Sequence, residues 1–472
     1  MVFSSAVFLF AFFPVYIAVV ALVRNIKACN VLLTVMSLLF YAWGEPVYIL
    51  LMLFSIVVNY FIALPAEKYR DGDSLPKRTL LSLAVIFNLT ALGLFKYAGF
   101  LASTFNSVSG ASLPVPQIPL PVGISFFTFQ TMSYVIDAYR GTCNVQRNIG
   151  KFMLYVSFFP QLIAGPIVKY HDIEKQLDCR STSVFKIADG MRRFIVGLSK
   201  KMLIANAVGS IVDKIYSLDG SDWNILLAWT AAILYSLQIY FDFSGYSDMA
   251  IGLGKMAGFK FLENFNYPYT SFSVREFWKR WHISLTTWFR EYVYFPLGGN
   301  RKGEIRTGVN RMSVFLLTGI WHGAMWTFVV WGIFHGVFQL LETYLIHPDK
   351  WKKPLAYLYA MAVVTVGFSI FRAESIGQAL NILGQMVAGF RFTDVGLITF
   401  RGLLTLYNLF ILACAFVAMT PILRDTADSL ALRYNAKWAV TCGKYAASVF
   451  LMALCMMSIA SSSYNPFIYF RF

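Results

Sequence analysis

The sequence predicts an all-α, polytopic membrane protein, and three observations carry that prediction. Of the 472 residues, 58% are hydrophobic and only 14% charged, whereas a soluble chain is about one quarter charged. Uncharged apolar runs of membrane-spanning length recur along the chain, and the mean hydropathy is +0.60. Lys and Arg outnumber Asp and Glu by 40 to 24, a net charge of +16. In a soluble chain that excess would suggest nucleic acid. Here it reads as the Lys/Arg excess of cytoplasmic loops, so no nucleic-acid partner is expected.

In order, the runs are 1–23, 28–44, 46–66, 79–95, 121–136, 152–168, 223–241, 312–341, 354–371, 402–423 and 445–470. They predict about 11 transmembrane or re-entrant helices, with cytoplasmic amphipathic helices between some of them, in one membrane domain spanning 1–472. The first run has no basic residue ahead of its apolar core, and Arg24 and Lys27 follow it. It is therefore expected to remain as a membrane helix rather than be cleaved. Basic loops at 24–27, 68–78 and 140–151 alternate with crossings and put the N-terminus outside. The basic stretch 169–201 fits that scheme only if 152–168 turns back. That run contains Pro160, Gly165 and Pro166, so it reads as a re-entrant hairpin.

Two stretches, 169–222 and 259–311, alternate bulky apolar residues with Lys and Arg. Both read as amphipathic helices at the cytoplasmic interface rather than as crossings. Within the second, "VREFWKRWHISLTTWFREYVYF" (274–295) would place Trp278, Trp281, His282, Leu285, Trp288, Phe289 and Tyr292 on one stripe of a single helix. The six cysteines show no metal-ligand spacing and read as free thiols, and no metal site is expected.

Ionisable residues at membrane depth are costly and mark functional candidates. His171 and His347 lie in charged loops and read as solvated, whereas His282, His322 and His335 lie in apolar surroundings. His322 and His335 share a 30-residue segment, 312–341, without one Asp, Glu, Lys or Arg. On one regular helix, their 13-residue separation would turn them roughly 220° apart, so they would not line one pocket. Each also sits in a pair of close-packing glycines, Gly319/Gly323 and Gly332/Gly336. An interhelical hydrogen bond would explain either histidine as readily as chemistry. In "QIYFDFSGYSDMAIGLG" (238–254), Asp242 and Asp248 either bind a cation or proton or cap a helix broken around Ser244–Gly245.

Several stretches resemble the membrane-bound O-acyltransferase family, in its bacterial alginate O-acetylation-type branch. They are "MVFSS" at the start, "PVGISFFTFQTMSYVIDAYRG" (121–141), "FFPQLIAGPI" (158–167), "YFDFSGYSDMAIGLG" (240–254), "REFWKRWHISLTTWFREYVYFPLGGNRKG" (275–303), "GIWHGAMWTFVVWGIFHG" (319–336), "FRAES" (371–375) and "NPFIYFRF" (465–472). The resemblance implies an enzyme of the bacterial inner membrane that moves an acyl group from a cytoplasmic thioester to a hydroxyl reached from the other side. Acetyl-coenzyme A is the donor it suggests, used as substrate with no bound cofactor. The acceptor it suggests is an exported polysaccharide of alginate, cellulose or peptidoglycan type, modified through a periplasmic SGNH-type acetyltransferase or polysaccharide-modification complex.

By the same resemblance His322 is the catalytic histidine and His282 the second active-site histidine, with His335 secondary and Trp281 beside His282. A neutral imidazole suits this chemistry, because the acceptor alcohol needs its proton removed during attack. His282 would polarise the thioester carbonyl or hold the donor. Arg192, Arg193, Lys200, Lys201, Lys279, Arg280, Arg301 and Lys302 are candidates for the phosphates of coenzyme A, or equally for those of membrane lipid. The terminal aromatic–Ile–Tyr figure resembles that of companion peptides in such systems and makes Tyr469 a candidate acetyl carrier. Its phenol, of pKa near 10, forms an ester far more reactive than that of a sugar. Two other readings remain at this stage. One is D-alanyl transfer to teichoic acid. The other is a proton-coupled transporter using Asp242 and Asp248, which would need two related halves that the sequence does not display.

Overall fold

The computed structural model describes residues 1–70, 72, 74–461 and 467. Among them the structure is helices, turns and loops, without a strand. They form two compact units, the first of Met1–Phe194 with Tyr246–Leu262 and the second of Ile195–Gly245 with Glu263–Phe472.

The first unit is built around α1 (Ile124–Arg140). Every residue from Ile124 to Val135 is buried, so the helix is enclosed on all sides. Gly123 (φ 79°) admits it, because a Cβ there would lie 2.7 Å from the Leu162 carbonyl. Gly141 (φ 77°) ends it in the left-handed conformation that favours glycine at a helix C-terminus. Beside it, the helices Tyr48–Ala63 and Leu75–Ser109 are tied by reciprocal amide bonds between buried Asn59 and Asn88, at 3.2 and 2.7 Å. Such side-chain bonds hold helices together where lipid removes the hydrophobic drive. The segment expected to turn back is two short helices, Ile149–Ser157 and Phe159–Leu162. Nine residues rise only about 14 Å, well short of a crossing of about 30 Å.

Val184–Tyr216 is one continuous helical run of 33 residues, long and apolar enough to cross a membrane. It comprises α2 (Val184–Ser199), a π-helical turn at Lys200–Ala205, and the helix Asn206–Tyr216. This overturns the expectation that nothing in 169–222 could cross. Of its charges, Lys201 is buried, and carboxylates of the next long helix neutralise both it and Arg193. That helix is α3 (Ile225–Met256), unbroken over 32 residues. The proposed break at Ser244–Gly245 does not occur. Gly245 instead lets the Gly197 carbonyl approach to 2.7 Å of where a Cβ would stand.

In the second unit, the expected single helix over 274–295 is interrupted. It forms α4 (Val274–Arg280), α5 (Ile283–Phe289) and a π-helical turn, Arg290–Tyr294. The charge-free segment 312–341 is likewise not one helix. α6 (Glu304–His322) stops at the histidine, Gly323 is extended at φ −173° and ψ 161°, and α7 (Trp326–Tyr344) doubles back against α6. α8 (Lys353–Arg372) packs on α7.

Six helical runs among the described residues are long and apolar enough to cross a membrane. They are Tyr48–Glu67, Leu75–Ser109, Val184–Tyr216, Ile225–Met256, Lys353–Arg372 and Lys437–Ser461. The pair Asp394–Leu403 and Leu406–Ala418, bent by 65°, makes a seventh if taken as one span, and Phe8–Leu22 and Ile26–Ala42 are shorter apolar helices. The six cysteines are free thiols.

Candidate active site

His282 occupies the break between α4 and α5, with φ 44° and ψ 54°. A left-handed conformation in a residue other than glycine costs on the order of 1–3 kcal/mol and persists only where the surroundings enforce it. Here the preceding loop enforces it. The Ile283 N–H donates to the Asn264 carbonyl at 3.0 Å, and the Asn266 N–H donates to the Arg280 carbonyl at 2.9 Å. Ser273 caps α4 by accepting from the Glu276 N–H at 3.0 Å, which fixes where the helix begins. The kink turns the His282 ring inward, where it is 1% exposed. Its Nδ1 lies 3.2 Å from Asn264 Oδ1.

His322 is the last residue of α6, and its ring sits among Trp321, Trp331 and Phe371 at centroid distances of 5.0, 5.2 and 5.1 Å. Trp321 also lies edge-on to His282 at 6.2 Å. One indole thus touches both histidines that the sequence singled out, although they are 40 positions apart. The hairpin that positions His322 depends on glycine. Gly319 of α6 and Gly332 of α7 face each other, and a Cβ on Gly332 would stand 2.5 Å from the Phe315 carbonyl. A Cβ on Gly319 would collide with the Phe328 carbonyl.

His335 has a different setting. Its ring lies between Trp278 and Trp331, each at 5.0 Å, and contacts the space that a side chain at Gly367 of α8 would fill. Neither ring nitrogen has a hydrogen-bond partner among the described residues. The α7–α8 packing explains it without chemistry. Trp281 stacks on Phe277 at 5.5 Å and packs edge-on to Phe265 at 5.1 Å, one member of a buried aromatic cluster.

The acidic candidates are ion-paired. Asp242 and Lys201 are 2% and 4% exposed and 2.5 Å apart. Asp248 accepts from Arg193 Nε at 2.8 Å. Among the other basic candidates, Arg192 binds Asp189 at 2.7 Å and Arg280 binds Glu276 at 2.6 Å. Lys200 is half-buried in the π-helical turn, and Lys279, Arg301 and Lys302 are exposed. His171, expected to be solvated, is held by the buried Asp137 carboxylate at 3.0 Å, which raises its pKa.

Tyr469 lies outside the described residues. Phe467, two positions before it, is buried. Its ring lies 6.4 Å from Phe243 and 5.7 Å below the Lys201 ammonium. Phe243 in turn packs edge-on to His282 at 4.6 Å. Sequence reading missed Asn264, Phe243 and Trp321. Phe243 and Trp321 lie inside the quoted stretches but carry no charge that would single them out, and Asn264 lies in none of those stretches.

Residues 144–348, which contain all three buried histidines, match the model of the membrane-bound O-acyltransferase family. The chain is 38% identical to the protein named "Probable alginate O-acetylase AlgI" in Azotobacter vinelandii, over 100% of both chains. It is 35% identical to a peptidoglycan O-acetyltransferase of Helicobacter pylori, over 82% of this chain and 80% of that one. A teichoic acid D-alanyltransferase of Bacillus subtilis is 29% identical over 54% of this chain and 69% of its own. With such identity along its whole length, and with its buried histidines inside the matched region, the chain belongs to the membrane-bound O-acyltransferase family and is a multi-pass membrane O-acyltransferase.

Proposed function

We propose that this enzyme takes an acetyl group from acetyl-coenzyme A on the cytoplasmic side of the bacterial inner membrane and delivers it for O-acetylation of an exported polysaccharide. The acceptor polymer is of alginate, peptidoglycan or cellulose type, and the N-terminus lies outside. The observation that carries this reading is the meeting of His282 and His322 on Trp321 within the family-matched region. The O-acetylating relatives, matched over 82% or more of this chain, favour acetyl over D-alanyl transfer, whose Bacillus relative covers 54%. The carboxylates that a proton-coupled transporter would use are engaged by Lys201 and Arg193.

In this reading His322 removes the proton of the attacking hydroxyl. The new C–O bond forms as the thioester C–S bond breaks, and the proton passes on to the departing thiolate. Exposed Lys279, Arg301 and Lys302 are the basic groups that would meet the donor's phosphates or those of lipid. Arg192, Arg193, Lys201 and Arg280 already hold carboxylates of their own. The first acceptor is Tyr469, which holds the group as an aryl ester and passes it to a periplasmic SGNH-type partner. The burial of Phe467 against Phe243, a ring that also packs on His282, is the observation that supports this relay.

The test is labelled acetyl transfer in proteoliposomes and polymer acetylation in cells. His322→Ala should abolish both, and a folded His322→Ala protein with wild-type turnover would end the general-base assignment. Tyr469→Phe removes only a hydroxyl. Normal polymer acetylation by that variant would remove the relay.

A further inference from the structure

The protonation pattern around His282 is fixed by a residue that the motifs did not single out. Asn264 is fully buried, and its Oδ1 faces three donors. These are the Ser284 backbone N–H at 3.1 Å, the Ser284 hydroxyl at 2.9 Å and His282 Nδ1 at 3.2 Å. A carboxamide can be turned end for end, so its orientation has to be argued from partners that cannot change role. The Ser284 N–H is such a partner, because a backbone amide only donates. The oxygen of Asn264 must therefore face it, and that same oxygen faces His282 Nδ1. Nδ1 must then carry the proton. In a neutral imidazole the other nitrogen, Nε2, is left as a bare acceptor. His282 Nε2 is buried and has no hydrogen-bond partner among the described residues.

We infer that Asn264 is a positioning residue that locks His282 in its Nδ1–H tautomer, so that Nε2 accepts a hydrogen from the reactants during acyl transfer. This rests on the reading of His282 as an active-site residue and decides between the two roles the sequence left open for it. A neutral His282 held this way has no N–H to aim at the thioester carbonyl, so it does not polarise that carbonyl. It receives an O–H or N–H from acceptor or donor. The left-handed backbone at His282 belongs to the same device. The loop that supplies the Asn264 side chain also binds the kinked backbone through the Asn264 carbonyl, so ring and main chain are set by one residue.

Several titratable and charged groups lie on the elements around His282. The Lys201–Asp242 pair adjoins Phe243, His322 adjoins Trp321, Glu263 adjoins Asn264, and Arg280 is engaged by Glu276 and Thr270. None of these is exchanged in the variants below, so a change in behaviour reports on the Asn264–His282 contact.

The tautomer is read directly by 15N solid-state NMR of the full chain with labelled histidine in lipid. Only five histidines are present, and His282→Gln identifies the signal. The wild type should show His282 protonated at Nδ1 and bare at Nε2. A signal protonated at Nε2 overturns the inference. Turnover is then compared across variants, with release of coenzyme A from acetyl-coenzyme A as the probe. Asn264→Leu should lower kcat on the order of a hundredfold, the scale of a lost acid–base arrangement, with KM little changed. Asn264→Asp keeps an acceptor for Nδ1–H and should retain most of kcat at high pH. Its carboxylate stabilises the imidazolium and raises the His282 pKa. The bare Nε2 then appears only at higher pH, so the acid limb of the rate profile should move up by about one unit or more. A polarising role for His282 predicts the opposite, with Asn264→Asp more active at low pH, and that result overturns the inference. Wild-type turnover in His282→Ala defeats the underlying reading of His282. A dead His282→Ala beside a fully active Asn264→Leu leaves that reading intact and defeats only the role of Asn264.

Discussion

Replacing Gly332 with alanine tests whether the α6–α7 hairpin positions the chemistry. The added Cβ would stand 2.5 Å from the Phe315 carbonyl and 3.2 Å from the Gly319 Cα, both backbone atoms that cannot rotate away. Ordinary contact begins at 3.4 Å, so the two helices must part by about 0.9 Å at their crossing. Overpacking of this kind costs about 1–3 kcal/mol. The catalytic consequence is larger, because Trp331, one residue away on α7, is a wall of the His322 site at 5.2 Å. A displacement near 1 Å at a reacting geometry lowers rate on the order of a hundredfold. Gly332→Ala should therefore insert and fold with a lower melting temperature in detergent and lose about two orders of magnitude in acetyl transfer. Gly384→Ala is the matched control. Gly384 lies within the helix Ile376–Ala388, and a Cβ there meets nothing within 4 Å. Helix propensity alone predicts that this substitution stabilises, by up to about 1 kcal/mol, without changing turnover. If Gly332→Ala melts and turns over like the wild type, the close crossing does not set the site, and the reasoning from Gly319 and Gly332 to His322 fails.

His282→Ala should reduce activity far more than His335→Ala, since His335 packs between two tryptophans and against Gly367. Equal losses in the two variants, at unchanged thermal stability, would contradict this ranking. Lys201→Met leaves Asp242 buried without its cation and should destabilise by about 3–5 kcal/mol. Adding Asp242→Leu should restore much of that stability in denaturation assays, and a double variant no more stable than the single one would refute the pairing argument. Topology predicts that Lys77→Cys and the exposed native Cys179 react with an impermeant maleimide from the same, cytoplasmic face. Labelling from opposite faces would remove the re-entrant hairpin at 152–168.

Much of the molecule was legible in the sequence. The apolar runs, the burial of His282, His322 and His335, and the break of 152–168 into short helices follow from solvation cost and from residues that break helices, which act locally. The stripe of Trp278, Trp281, Leu285, Trp288, Phe289 and Tyr292, which the spacing turned toward either the interior or lipid, is buried, although the helix presumed to carry it is kinked. Periodicity registers which side chains leave water. It does not register a single left-handed residue.

What the sequence determined by itself is which runs are apolar and the presence of ionisable groups where lipid would exclude them. The tertiary structure alone decided who partners whom. Arg192, Arg193 and Lys201 read as loop charges until α3 brought Asp248 and Asp242 to two of them and Asp189 engaged the third. His322 and His335 read as two faces of one helix until Gly323 ended it and folded α7 back on α6. Asn264 had no signal at all, because its importance lies in a hydrogen bond across 18 positions of chain. Hydrogen bonds and ion pairs are short-ranged and directional, so a linear pattern cannot contain them before the backbone has folded.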